Sequence, residues 1–148
     1  MSYERLFHYT HSVDVARSIA QSGVLIPNAP PIPSGIGAPE GYCEARVNLT
    51  KITPEQGADA IQAGTGLVVT PAFGLEVLID TSQHRLSQLL PDIFPQSYHI
   101  ITDEPVEAKV TRMWNVERAE KRARRGWTFK RFGSNHGYLS FALAPGNL

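Results

Sequence analysis

The stretch Leu6 to Leu25, LFHYTHSVDVARSIAQSGVL, constrains the fold most, because it carries a start and a stop for two successive elements. Leu6 to Tyr9 is β-prone and delivers His8 and Thr10 to the end of a strand. Ser12 is suited to cap a helix N-terminus, and Asp14 places a negative charge in the first turn. Val15, Ala16, Ile19 and Ala20 fall on one face, the pattern of an amphipathic helix packed on a sheet. Gly23 stands where a left-handed cap would end that helix. A strand that hands His and Thr to the mouth of a cleft, backed by a capped helix, suits a ligand site.

The remaining segments are read in relation to this unit. Pro27 to Gly41, PNAPPIPSGIGAPEG, is too rich in Pro and Gly for a helix or a central strand, and reads as a long loop. It is either a functional loop over a cleft or a surface excursion. Arg46 to Ile52 alternates as a strand, with Val47 and Leu49 on one side and Asn48 and Thr50 on the other. TPEQGADAIQAG reads as one helix, with Thr53 as N-cap, Pro54 at the first helical position and Gln56 completing a capping box. Two β-prone runs follow, Leu67 to Thr70 and Leu75 to Asp80, joined by a Pro-Ala-Phe-Gly turn. Ser82 to Leu90 is a short helix candidate. Tyr98 to Thr102 and Ala108 to Met113 are strand-like, separated by an acidic turn at Asp103 and Glu104. Asn115 to Arg125 is helix-compatible, and Tyr138 to Leu143 reads as a last strand. Mostly short strands with two or three helices predict an α+β fold in a single domain spanning residues 1–148.

Composition excludes several classes. Hydrophobic residues make up 42% and charged residues 19% of the 148, which is ordinary for a folded protein. Apolar runs are too short to span a bilayer, so no membrane association is expected. MSYERLFHYT lacks the basic and apolar regions of a secretory signal, and a single cysteine is compatible with a cytoplasmic site of action. Cys43 is the single cysteine, so there is no internal disulfide and no thiolate metal cluster. His8 and His11 precede the helix and do not form a helical metal pair, and no metal is expected. Walker-type, GxGxxG, HExxH and GxSxG motifs are absent.

A net charge of zero conceals a polarity. Residues 1–108 hold 5 Lys/Arg against 12 Asp/Glu, and residues 109–148 hold 9 against 2. The basic charge concentrates in Lys109 to Arg131. Either this segment meets phosphate-rich surfaces, with Trp127, Phe129 and Phe132 stacking bases, or it is a solvated helix and strand docked on an acidic body.

HYT, a helix ending in SGVL, a Gly/Pro loop and RVNLTKITPEQ together resemble the ADP-ribosyltransferase superfamily. The resemblance is to the small polymorphic-toxin domains with a His-Tyr-Asp signature. It covers residues 6–56, and is carried by His8, Tyr9, Thr10, Ser22 and Gly23, then by Leu49, Thr50, Ile52 and Pro54. It implies a split β-sheet core and NAD as substrate. Cleavage of the nicotinamide–ribose bond would then pass ADP-ribose to a macromolecule or to water.

Under this resemblance His8 binds the nicotinamide ribose with Thr10 beside it, and Tyr9, Tyr42, Asn48 and Thr50 contribute to the NAD site. Asn48 departs from the family, standing where a stacking tyrosine is usual; either Tyr42 substitutes for it, with the loop folded in, or the stacking is missing and Tyr42 is a packing aromatic. The third position, acidic or amide in the family, falls on Gln96, Asp103 or Glu104. Gln96 would bind ribose without acting as a base. His8, Asn48 and Gln96 are thus the catalytic candidates. A toxin or effector is implied, with a cognate immunity protein as a further partner and nucleic acid as a target reached through residues 109–131. The competing readings are a catalytically degenerate binding module, an NAD glycohydrolase and an RNA 2′-phosphotransferase-like enzyme.

Overall fold

A computed structural model describes residues 2–28 and 44–124. Within them, seven strands and three helices form an α+β arrangement. Strand β1 (Tyr3–Thr10) leads into helix α1 (Val13–Ser22) and the short strand β2 (Val24–Leu25). Strand β3 (Arg46–Thr50), a 3-10 turn (Pro54–Gln56) and helix α2 (Ala58–Thr65) follow. Then come β4 (Phe73–Asp80), β5 (Ser97–Ile101), β6 (Val106–Glu107), β7 (Lys109–Asn115) and α3 (Val116–Arg124).

The five longer strands make one antiparallel sheet in the order β5-β3-β1-β4-β7, while β2 and β6 pair separately. The pairings flanking β1 are unequal. It meets β4 over eight residue pairs, from Tyr3 with Asp80 to Thr10 with Phe73. It meets β3 through one pair, Phe7 with Thr50. The sheet therefore parts between its first and third strands, and the mouth of that gap holds His8. At the far end of β3, Arg46 turns to Asn28 instead, exchanging two backbone hydrogen bonds of 3.0 Å with it.

Alternation along the strands gives the sheet two apolar faces. Leu6, Val47, Leu49, Leu75, Val77, Ile79, Ile100 and Met113 share one core with Ala16 and Ile19 of α1, Leu25 of β2 and Val106 of β6. Phe7 and Tyr9 share the other with Ile52, Ile61 of α2, Trp114, and Val116 and Ala119 of α3. Each large aliphatic side chain so buried contributes roughly 1.5–3 kcal/mol, and this is what holds the thin sheet between its covers.

The opening unit forms as read. The Ser12 hydroxyl accepts from the Val15 amide, and Gly23 caps α1 in the left-handed region at φ 68°. Val15 differs from expectation: it is 46% exposed, because the stripe that meets the sheet begins at Ala16.

Several other elements also differ. The expected single helix over 53–64 is two pieces broken at Gly57, whose φ of 93° cannot continue a helix, and the Thr53 side chain makes no capping hydrogen bond. Residues 67–70 find no strand partner and run irregularly past the cleft. Phe73 and Gly74, expected in a turn, belong to β4, where Gly74 lies opposite Tyr9 and leaves room for its ring.

Residues 82–90 are not helical. Asp80 Oδ1 accepts from the Ser82 amide and hydroxyl, and Ser87 pairs with His99, so tertiary pairing overrides local preference. Helix α3 confirms the helical reading of the basic segment as far as Arg124. Asn115 caps it, and Glu117 and Glu120 pair with Lys121 and Arg124 one turn on, so much of its charge is balanced internally. The remainder of that segment, with Trp127, Phe129 and Phe132, and the strand expected over 138–143 lie outside the described residues. Among those described, no helix is long and apolar enough to cross a membrane.

Candidate functional site

A cleft of about 460 Å³ opens at the parting of β1 and β3. Its polar floor comes from three strands that neighbour one another: His8 on β1, Arg46 and Asn48 on β3, and Ser97 and His99 on β5. Its apolar wall comes from Leu67 and Val68 after α2, and from Leu89, Leu90 and Phe94 in the irregular connection before β5. A few convergent polar groups facing an apolar wall are the usual make-up of a small-molecule site. Arg46 is the one residue with a formal charge among the described residues that line it.

His8 reaches across the gap. Its Nδ1 lies 2.8 Å from the backbone carbonyl of Asn48, so this nitrogen carries the proton and donates. Burial disfavours the imidazolium and lowers the His8 pKa, while the Asn48 carbonyl opposes that shift more weakly. A neutral ring with Nδ1 committed leaves Nε2 as a hydrogen-bond acceptor.

The Asn48 side chain organises the second imidazole. Arg46 Nε is 3.2 Å from Asn48 Oδ1, and a guanidinium can only donate, which identifies the facing amide atom as oxygen. His99 Nδ1 lies 2.8 Å from the same oxygen and must also donate. Asn48 and His99 are opposed across the β3–β5 ladder, which sets this contact. Burial, reinforced by the Arg46 charge, lowers the His99 pKa to about 4. His99 is therefore neutral at physiological pH and, like His8, presents Nε2 as an acceptor.

Other residues expected at the site serve the framework. Tyr9 reaches the cleft wall, but its hydroxyl donates to the Ile52 carbonyl at 2.6 Å, and burial raises its pKa far above the usual phenol value, with Glu55 adding to the shift. Thr10 does not line the cleft; it is buried, and its hydroxyl accepts from the Ser12 amide at the turn into α1. Thr50 lines the cleft with its hydroxyl already occupied, donating to the Gln96 carbonyl at 2.9 Å and accepting from the Ile52 amide at 3.1 Å. Gln96 is exposed and outside the lining, and its backbone carbonyl is what the structure uses, for Thr50 and for the Lys51 amide. Asp103 and Glu104 sit in the turn before β6, also away from the cleft. Tyr42 lies outside the described residues.

The structure brings in three residues not singled out from sequence. His99 carried a faint signal, since Tyr98 and Ile100 alternate toward the core and point position 99 the other way. Arg46 and Phe94 carried none. No group of three or more His, Cys, Asp or Glu among the described residues could hold a metal ion. No family model matches this chain, and no curated protein and no solved structure matches it.

Proposed function

We propose that this protein is an NAD-cleaving ADP-ribosyltransferase of toxin or effector type. The observation that carries the reading is His8: it stands at the parting of a split sheet, inside a nucleotide-sized cleft, with Nδ1 tied to the Asn48 carbonyl and Nε2 left to accept from a ribose hydroxyl. In this reading the nicotinamide ribose lies against His8 and Asn48, and the nicotinamide ring packs on the apolar wall near Phe94, which offers the aromatic surface that Asn48 does not. The C1′–N bond breaks with its electron pair leaving on nicotinamide. The resulting oxocarbenium carbon is captured by water or by a nucleophile on the target, which loses its proton to solvent. Such a dissociative step asks the protein chiefly for orientation and for exclusion of water.

A second reading is a binding module, or a glycohydrolase with a weak transfer step. What favours it is the cleft's composition: none of the described residues lining it is a carboxylate that could activate a poor nucleophile. Nicotinamide release from NAD by the purified protein decides, measured with and without RNA, DNA and cell lysate and beside His8→Ala. Release that vanishes in the variant supports the transferase or glycohydrolase, and acceleration by one additive names the acceptor class. Absence of both release and NAD binding overturns the NAD reading and leaves the module.

A further inference from the structure

The cleft floor is polarised along β3. Antiparallel register places Arg46, Asn48 and Thr50 opposite Ile101, His99 and Ser97 of β5. Alternation turns these residues to the sheet face shared with Phe7 and α2, since Val47, Leu49 and Ile100 enter the core on the α1 side. Arg46 and Thr50 are four residues apart, so the floor runs about 13 Å from one to the other. Apolar groups gather at the Thr50 end. Ser97 Oγ donates to the Gly64 carbonyl at 2.8 Å, which ties the end of α2 over the start of β5. Phe94, whose carbonyl accepts from the Ser97 amide, packs its ring on Gly66, where a Cβ would lie 3.0 Å from the ring's Cζ. Ser87 bridges His99 in antiparallel sense, so the chain that follows carries Leu89 and Leu90 toward the same end. The charge lies at the other end, on Arg46, and it acts on the floor, since it adds to the desolvation that keeps His99 neutral. Uncharged Asn48 and His99 occupy the middle.

We infer that the cleft takes a 5′-mononucleotide unit in one direction only, with its ring on Phe94, its phosphate at Arg46 and its sugar between them over Asn48 and His99. Each part meets the chemistry it requires: a flat ring meets an apolar wall, sugar hydroxyls meet neutral polar side chains, and a phosphate meets a guanidinium. The reversed pose is disfavoured because it strips water from the phosphate among Leu67, Leu89 and Leu90, where no charge compensates it. For NAD, this direction seats nicotinamide on Phe94 and leads the chain of phosphates out past Arg46. That choice of ring rests on the NAD-cleaving reading, whereas the direction concerns any 5′-nucleotide.

The test measures affinities by calorimetry for two ligand pairs: nicotinamide mononucleotide against nicotinamide riboside, and adenosine 5′-monophosphate against adenosine. Wild-type protein is expected to prefer the phosphorylated member of at least one pair by about tenfold. In Arg46→Gln, which keeps a donor for Asn48 but removes the charge, the preference falls to about twofold or less, while the nucleoside binds as before. Arg46→Lys retains most of it. Phe94→Leu, which keeps apolar bulk but loses the aromatic face, weakens both members of the pair alike by about tenfold and leaves their ratio unchanged, as for two contacts too far apart to couple.

Equal binding of nucleotide and nucleoside overturns the inference, as does a preference untouched by Arg46→Gln, a loss of both members alike in that variant, or no binding of any probe. A phosphate preference that depends on Arg46, without nicotinamide release from NAD, retains the inference and overturns the NAD-cleaving function. Release without that preference does the reverse.

Discussion

His8 donates through Nδ1 to the backbone carbonyl of Asn48 across the gap where β1 and β3 separate, at 2.8 Å. A side chain thus takes up a carbonyl that regular pairing of the two strands would have satisfied. The same bond fixes the ring's tautomer, so one contact bridges the gap in the sheet and leaves Nε2 as the ring's acceptor. If the proposed NAD-cleaving reading holds, His8→Ala is expected to lower nicotinamide release by about 100-fold or more, as for loss of a group that orients a reacting sugar. The chain should stay folded, with a cost of about 1 kcal/mol for one bridging hydrogen bond. Paired assays of release and urea unfolding check both halves.

Thr50 is only 2% exposed and its hydroxyl serves as donor and acceptor at once, linking the end of β3 to Gln96 and Ile52. Thr50→Val keeps the shape and leaves a carbonyl and an amide without that partner. We expect a loss of roughly 1–3 kcal/mol in chemical denaturation. A change within experimental error would show that the hydroxyl carries no stabilising bonds.

Gly57 adopts φ 93°, and a Cβ there would overlap the Glu120 carboxylate of α3. The Glu120 side chain can shift, whereas the backbone strain remains for any residue with a Cβ. Gly57→Ala is therefore expected to destabilise by about 1–3 kcal/mol, the reverse of the gain usual when Gly becomes Ala at a compatible site. A raised midpoint in thermal unfolding would contradict this.

Acid stability follows from the partly buried imidazoles. The His99 pKa lies at about 4 in the folded protein against an ordinary 6.5, and that of His8 is lowered in the same direction. Between these values the unfolded chain binds more protons than the folded one, so stability rises with pH through the window from 4 to 6.5. Below that window the full penalty is present, and above it this contribution is flat. For His99 the span corresponds to at most about 3 kcal/mol, less for its partial exposure. His99→Gln should flatten the profile of unfolding free energy over this range; an unchanged slope would place the titration elsewhere.

How much of this was legible in the sequence differs by residue. The β1–α1 unit was readable because its signals are local. Ser12, the stripe of Ala16 and Ile19, and Gly23 each act within a few residues of chain, through capping, periodicity and backbone freedom. The alternation of Val47 and Leu49 marked β3 by the same kind of reasoning. His8 was identified as a site residue by position at a strand end, and it does line the cleft.

What tertiary structure decided concerns partners distant in the chain. Thr10, Thr50 and Gln96 have the chemistry of ligand-binding residues, yet the fold places Thr10 and Gln96 off the cleft and spends the Thr50 hydroxyl on backbone partners. Residues 82–90 have helical composition, but pairing of Ser87 with the edge of β5 outweighs it. Glu76 is buried mid-strand because Arg5 and Thr111 meet its two carboxylate oxygens from the strands on either side. The sequence by itself determined which segments could be strands or capped helices, since periodicity and capping are short-range. Only the tertiary structure decided that β1 and β3 part after a single pair, and that His8, Asn48 and His99, far apart in the chain, share one cleft. That arrangement depends on strand order and register, which burial of both sheet faces sets jointly and which no local stretch encodes.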